Sequence, residues 1–307
     1  MSAFRRSKNE PRTVRDYILL GEARLSDADL TYGHGTECAL DEAAWLVGRT
    51  LGLCPHELDD HLDRALSPAE TESVTQIIDA RIRTRKPAAY LLKEAWFADL
   101  RFYVDERVIV PRSLTGEFIL ECFHPWVAKD GVRRALDLCT GSACIAIALT
   151  RAFTKVRVDA ADISADALDV ARINVHDYGL EQYVRLVQSD LFDGLAGERY
   201  DLIVTNPPYV DARDMRYLPP EYRHEPVLAL ASGPSGLDAI RRILAQAADH
   251  LHPGGILVAE VGNSNVTLQE HYPDVPFTWL TTSTGDDSVF LLTQEELVQF
   301  QPVFARS

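Results

Sequence analysis

Long apolar runs are missing from this 307-residue chain. No stretch approaches the ~20 consecutive apolar residues that a bilayer demands, so no membrane-spanning helix is expected. Cysteine is scarce and unpaired by spacing. Cys38, Cys54, Cys122, Cys139 and Cys144 are odd in number and form no CxxC pair. That argues against a disulfide framework or a metal site and for reduced cytosolic thiols. Basic charge is also in short supply, with 31 Lys and Arg against 46 Asp and Glu, a net charge of -15. A duplex-DNA binder sets Lys and Arg against phosphate, so direct nucleic-acid binding is not expected. The balance suits a basic protein partner, although acidity by itself also keeps a cytosolic protein in solution. The start, Met1-Ser-Ala-Phe-Arg-Arg-Ser-Lys8, has charge but no apolar segment behind it, so no secretory signal is expected and the cytoplasm is the expected location.

What is present is an ordinary globular composition, 46% hydrophobic and 25% charged. The length accommodates one large domain and a small one. Residues 1–95 read as a small helical domain. Apolar residues recur at helical spacing in Val14, Tyr17, Ile18, Leu20 and Leu25, then in Ala43, Ala44, Leu46, Val47 and Leu51, and again in Val74, Ile77, Ile78 and Ile82. Ser67-Pro68 reads as a helix start, with Ser67 as N-cap. Over 96–112 the pattern changes: Phe102, Val104, Val108 and Val110 alternate with polar residues, which predicts a hairpin linker turning at Asp105-Glu106-Arg107.

From 113 to 307 strands and helices alternate. Strands are expected at 134–138, 156–161, 183–188, 202–205 and 256–261, the last entered from a Pro253-Gly254-Gly255 turn, with a closing antiparallel pair at 277–281 and 288–292. Helices are expected near 145–149, from Ser164, and at 240–251. This order predicts an α/β fold, a mainly parallel sheet covered on both faces. Ligands on such sheets bind beyond the carboxyl ends of the strands.

Three signals fall at those ends. The first strand runs into Asp137-Leu-Cys-Thr-Gly-Ser-Ala-Cys144, a small-residue turn that lets backbone approach a ligand. It has one glycine, Gly141, where a pyrophosphate-binding fingerprint has three, so a nucleoside without phosphates fits better. Asp162 ends the second strand, where a carboxylate accepts from ribose hydroxyls, and Asp190 follows the third, within reach of an adenine amino group. The most specific signal is the fourth strand, which runs straight into Asn206-Pro207-Pro208-Tyr209. Two prolines fix φ and remove two backbone donors. Their carbonyls and the Asn206 side-chain oxygen are then free to accept from an incoming NH2 group. An amide nitrogen is a poor nucleophile because its lone pair is delocalised. Fixed acceptors on both N–H groups turn that lone pair toward an electrophile, and Tyr209 offers an aromatic face to the flat amide.

With these residues the chain resembles the class I S-adenosylmethionine-dependent methyltransferases acting on exocyclic or amide nitrogens. Within them it is similar to the protein-(glutamine-N5) methyltransferases, and most to the branch acting on large-subunit ribosomal protein L-three. The matching stretches include Val110-Pro-Arg-Ser113, Cys139-Thr-Gly-Ser142, Glu221-Tyr-Arg-His-Glu-Pro226, Leu230-Ala-Ser-Gly233, Glu260-Val-Gly-Asn-Ser264 and Tyr272-Pro-Asp-Val-Pro-Phe-Thr-Trp-Leu280. The resemblance implies a Rossmann-like, seven-stranded, mostly parallel sheet at 113–307 and a substrate-recognition role for 1–95. It implies S-adenosyl-L-methionine contacts from Asp137, Thr140, Gly141, Asp162, Asp190 and Asn206. It also implies a glutamine amide held by Asn206, Pro207, Pro208 and Tyr209, Phe97 near the methyl group, and Arg112 supporting a loop over the cofactor. Ala143 departs from the glycine of that branch, and its methyl group is expected to crowd the helix start or the cofactor. A release-factor glutamine methyltransferase, an adenine-N6 DNA methyltransferase and a non-catalytic cofactor-binding protein stand as alternatives.

Overall fold

The computed structural model describes residues 11–128 and 130–305, so the N-terminal segment read for a signal lies outside the described residues. The chain divides into two compact units. One comprises the chain up to Glu94 together with Pro219–His224; the other is Ala95–Leu218 with Glu225 onward.

In the first unit, helices Val14–Asp27, Ala39–Thr50 and Pro68–Thr84 enclose a small core of Val14, Ile18, Leu25, Leu46, Val47, Val74 and Ile78. Their starts are set by local chemistry. Thr13 pairs with Asp16 and Ser67 with Glu70 in capping boxes, each satisfying backbone donors that a helix start leaves open. Two charges sit inside this core: Arg81 Nε donates to Glu42 Oε1 at 2.7 Å, with both side chains at most 1% exposed. Glu221, from the segment 219–224, is equally buried. It pairs with Arg85 at 2.8 Å, lies 3.8 Å from Arg81, and accepts from the Thr31 backbone N–H. Burial raises the Glu42 carboxyl pKa, and the Arg81 guanidinium pulls it back.

The second unit begins with a hairpin, β1 (Ala95–Phe97) and β2 (Leu100–Phe102). It turns at Ala98-Asp99, both left-handed at φ 46° and 61°, as two-residue hairpin turns require. The turn expected at Asp105–Arg107 closes irregular backbone beyond the hairpin. Val104, Val108 and Val110 alternate because they are buried, not because they pair in a strand.

The main sheet has seven strands: β3 (Arg134–Leu138), β4 (Arg157–Asp162), β5 (Val184–Gln188), β6 (Tyr200–Thr205), β7 (Leu251–Glu260), β8 (Thr278–Leu280) and β9 (Val289–Thr293). Their order is β5-β4-β3-β6-β7-β9-β8. The first five run parallel, and β9 is antiparallel to both its neighbours. Alternate residues feed two separate cores, one on each face. Ala135, Val158, Leu202 and Val258 point to one, and Leu136, Ala161, Ile203 and Leu257 to the other. The Pro253-Gly254-Gly255 turn lies inside β7: Tyr200 pairs with Leu251 and Leu202 with Ile256, so 252–255 bulge opposite Asp201. The helix expected to reach Leu251 ends at Gln246 and finishes in a 3-10 turn. The order reverses at β3, with β4 on one side and β6 on the other, which opens a crevice beyond the strand ends.

Candidate active site

That crevice holds a cavity of about 310 Å³ whose wall includes Gly141, Asp162, Asp190, Asn206 and Pro208. Five of the sequence-predicted residues thus meet in one place, brought there by the ends of four strands, β3, β4, β5 and β6, or the turns after them.

The turn after β3 is built from beneath. Asp137 is fully buried and accepts from the Thr140 hydroxyl and from the Ala146 N–H at 2.9 Å. Thr140 is also buried. Neither is on the cavity wall. Their spacing placed them in the turn, but their side chains tie the turn back to the strand. The backbone above is left-handed at every second residue, with φ 63° at Cys139, 53° at Gly141 and 64° at Ala143. Glycine content understated this cradle, because Cys139 and Ala143 adopt conformations in which glycine is preferred. A Cβ at Gly141 would meet nothing within 4 Å, so the turn opens to space there.

The Ala143 methyl group is fully buried in the core and is off the cavity wall, so it does not crowd a ligand. Two terms oppose each other in Ala143→Gly. Leaving the left-handed penalty gains roughly 1–2 kcal/mol, and losing a buried methyl costs about 0.8 kcal/mol. The expected result is a small gain, on the order of 0.5 kcal/mol, read by urea denaturation. A loss would show that methyl packing outweighs backbone strain.

Burial pushes the Asp137 carboxyl up to about 7, against the pull of Thr140 and the Ala146 N–H. The folded protein therefore holds this proton more tightly than the unfolded chain. The resulting stability is complete below the ordinary value of 3.8 and is lost as pH rises through about 7. Asp137→Asn imitates the protonated acid. Relative to the parent, it should be more stable at about pH 8 than at about pH 5. A pH-independent difference in denaturation midpoint would remove Asp137 as the titrating group.

Asp162 ends β4 and spends an oxygen on each of two backbone donors, Gly141 N and Ser164 N, both at 2.9 Å. Burial raises its pKa, and those N–H groups pull it back. Asp190 meets Arg242 at 2.9 Å, and both side chains are about half exposed. Arg242 was missed. It lies in the helix Asp238–Gln246 one turn beyond Asp238, and both line the cavity, an i, i+4 face that the sequence displays.

β6 is locked to β3 by Thr205, whose hydroxyl donates to the Leu138 carbonyl at 2.7 Å. Asn206 follows. It lines the cavity, and its Oδ1 is buried with no hydrogen-bond partner among the described residues. Such an atom is costly unless something arrives to donate to it. Pro208 lines the cavity, while Pro207 is buried behind the wall. Tyr209 is partly buried, with its hydroxyl 3.5 Å from Glu260 Oε1. Beyond it Val210 bonds both ways with the 230–232 segment, at 2.8 and 2.9 Å, which closes the wall opposite the β3 turn.

Two other predicted residues stand apart. Phe97 is buried in the core, where a Cβ at Gly116 would come within 3.0 Å of its ring, and is off the cavity wall. An aromatic in a hairpin carries no signal to distinguish the two placements. Arg112 grips buried Glu225 with both Nη atoms, at 2.5 and 2.8 Å, and Glu225 accepts the Val110 N–H. This holds the 107–112 segment, of which Arg107, Val108 and Ile109 line the cavity. All five cysteines are free, and among the described residues no group of His, Cys, Asp and Glu forms a metal site. No helix among them is long and apolar enough to cross a membrane.

The methyltransferase small domain family matches residues 116–218. The ribosomal protein uL3 glutamine methyltransferase of Neisseria meningitidis serogroup A is 50% identical over 96% of this chain and 97% of its own. That of Bordetella pertussis is 47% identical over 95% and 98%. Among solved structures, a methyltransferase from Pyrococcus furiosus aligns at 18% identity over 63% of this chain and 88% of its own, with a TM-score of 0.45. At half identity over nearly the full length of its relatives, with a class I methyltransferase sheet and an intact Asn-Pro-Pro-Tyr, the chain belongs to the ribosomal protein uL3 glutamine methyltransferase family.

Proposed function

We propose that the chain transfers a methyl group from S-adenosyl-L-methionine to the side-chain amide nitrogen (N5) of a glutamine in ribosomal protein uL3, the large-subunit protein L-three. The observation that carries this is Asn206, which lines a nucleoside-sized cavity and whose Oδ1 is buried without a partner. The left-handed turn, the open space over Gly141 and the Asp162 carboxylate fit the cofactor. Asp162 would take the ribose diol with its remaining lone pairs, and Asp190 the adenine amino group. When bound, the cofactor supplies an electrophilic methyl group on a sulfonium, whose departure as a thioether needs no acid. The chain's task is alignment. Asn206 Oδ1 and a backbone carbonyl of the Pro207-Pro208 pair would accept the two amide N–H groups, and the Tyr209 ring would lie against the amide plane. Held so, the nitrogen lone pair would point at the methyl group the cofactor supplies, and one nitrogen proton would leave to water.

The helical unit is the substrate-recognition part in this reading. Ribosomal proteins are basic and this chain is acidic, so long-range attraction assists encounter. The same acidity disfavours direct nucleic-acid contact, and a ribosomal substrate supports a cytoplasmic location. The test is incubation of the purified chain and labelled cofactor with uL3, a release factor and DNA in parallel, followed by peptide mass spectrometry. Methylation of a uL3 glutamine is expected. Label on the release factor or DNA, with none on uL3, would reassign the substrate.

A further inference from the structure

The Tyr209 ring is clamped by groups that the proposed reaction does not otherwise use. A Cβ at Gly262, where φ is 47°, would lie 2.4 Å from ring atom Cε2. A Cβ at Gly236, where φ is 75°, would lie 2.4 Å from the Tyr209 carbonyl oxygen. That same oxygen accepts from the Ser264 hydroxyl at 2.9 Å. Space has been kept clear for the ring on one side, and its backbone is pinned on the other. The hydroxyl end faces Glu260, the last residue of β7. Glu260 is a buried carboxylate and is itself held in place: its Oε2 accepts from the Ser113 hydroxyl at 2.7 Å and from the Leu114 N–H at 2.9 Å. This leaves Oε1 turned toward the Tyr209 hydroxyl.

We infer that Glu260 is a positioning residue for methyl transfer, acting through the Tyr209 hydroxyl to hold the ring in the plane that receives the substrate amide. Gly262 and Ser264 complete the clamp. This rests on the reading of Tyr209 as the aromatic that meets the glutamine amide. The 3.5 Å separation is long for an O–H···O bond. Such contacts shorten when substrate completes the site. Burial raises the Glu260 pKa, with Ser113, the Leu114 N–H and Arg112 pulling it down and Asp286 adding to the rise. Tyr209 and Glu260 belong to separate strand ends, β6 and β7, so a buried carboxylate bridging them fixes the distance between the motif and the neighbouring strand.

The test is a double-mutant cycle on kcat with uL3 as substrate. Glu260→Gln should lower kcat about 10-fold, because a small misplacement of a positioning group costs up to about 100-fold. The dissociation constant for S-adenosyl-L-methionine, measured by calorimetry, should not move. In a Tyr209→Phe background, which keeps the ring and removes the hydroxyl, Glu260→Gln should have no further effect. Multiplicative losses would overturn the inference, since the two residues would then act independently. Tyr209→Ala with unchanged kcat would instead sink the reading of Tyr209 and leave Glu260 as a core residue. Should Glu260→Gln fail to fold, Ser264→Ala removes one hydroxyl from the clamp. It should lower kcat several-fold at unchanged cofactor affinity, and an unchanged kcat there would also overturn the inference.

Discussion

Asn206→Ala is expected to lower kcat by about 10²–10³ while leaving the affinity for S-adenosyl-L-methionine nearly unchanged. The magnitude follows from removing one preorganised polar partner of a reacting group. The structure sharpens the expectation, because Oδ1 is already desolvated and unpartnered before substrate arrives. The cost of burying that oxygen has been met in folding, so it needs no reorganisation when an N–H approaches. Removing the side chain relieves an unsatisfied atom, so Asn206→Ala should not unfold the protein, and its thermal midpoint should match or exceed the parent's. Asn206→Asp keeps the size and places a negative charge near a sulfonium. It should bind cofactor at least as well and turn over slowly. Wild-type turnover of Asn206→Ala at saturating substrate would reduce the motif to a structural turn.

The second large effect is on binding. Asp162→Ala should weaken S-adenosyl-L-methionine by about 10- to 150-fold, the range for hydrogen bonds to a charged group. Two effects combine there. The ribose loses its acceptor, and the N–H groups of Gly141 and Ser164 lose theirs, which loosens the turn after β3. Asp162→Asn separates them. An amide keeps one oxygen and can hold one backbone donor, but loses the charge, so it should fall between parent and alanine. Calorimetric titration of both variants reads the order directly. An unchanged dissociation constant in Asp162→Ala would remove this carboxylate from the cofactor site.

Much of the sheet was legible because a parallel strand buried on both faces writes itself as a short apolar run ending in a polar residue. Leu202–Thr205 before Asn206 is such a run, and Val158–Ala161 before Asp162 is one interrupted by Asp159; the strand ends they mark are where the cavity lies. Local spacing does not reveal where a side chain points within a turn. Asp137 lies in β3 and Thr140 in the turn after it, and both side chains are buried off the cavity wall. Nor does composition reveal a left-handed residue that is not glycine, so Cys139 and Ala143 concealed two of the cradle's three left-handed positions. Long-range partners were the other gap. Glu221 and Glu225 stand in one matched stretch, four residues apart, and each is explained only by an arginine more than a hundred residues earlier, Arg85 and Arg112. Pro253-Gly254-Gly255 reads in the sequence as a turn that precedes the strand and is instead a bulge inside it, because a bulge and a turn draw on the same residues.

The insertion of Pro219–His224 into the helical unit has a consequence for biosynthesis. A chain emerging from the ribosome presents Glu42, Arg81 and Arg85 long before Glu221 exists. Until then Arg85 lacks the carboxylate it pairs with in the finished protein, and the buried Arg81 has only Glu42 to balance it. The N-terminal helices therefore cannot reach their final stability as an independent early unit. They wait for a segment translated after Asn-Pro-Pro-Tyr. Completion of the helical unit is thereby timed to follow synthesis of the catalytic motif.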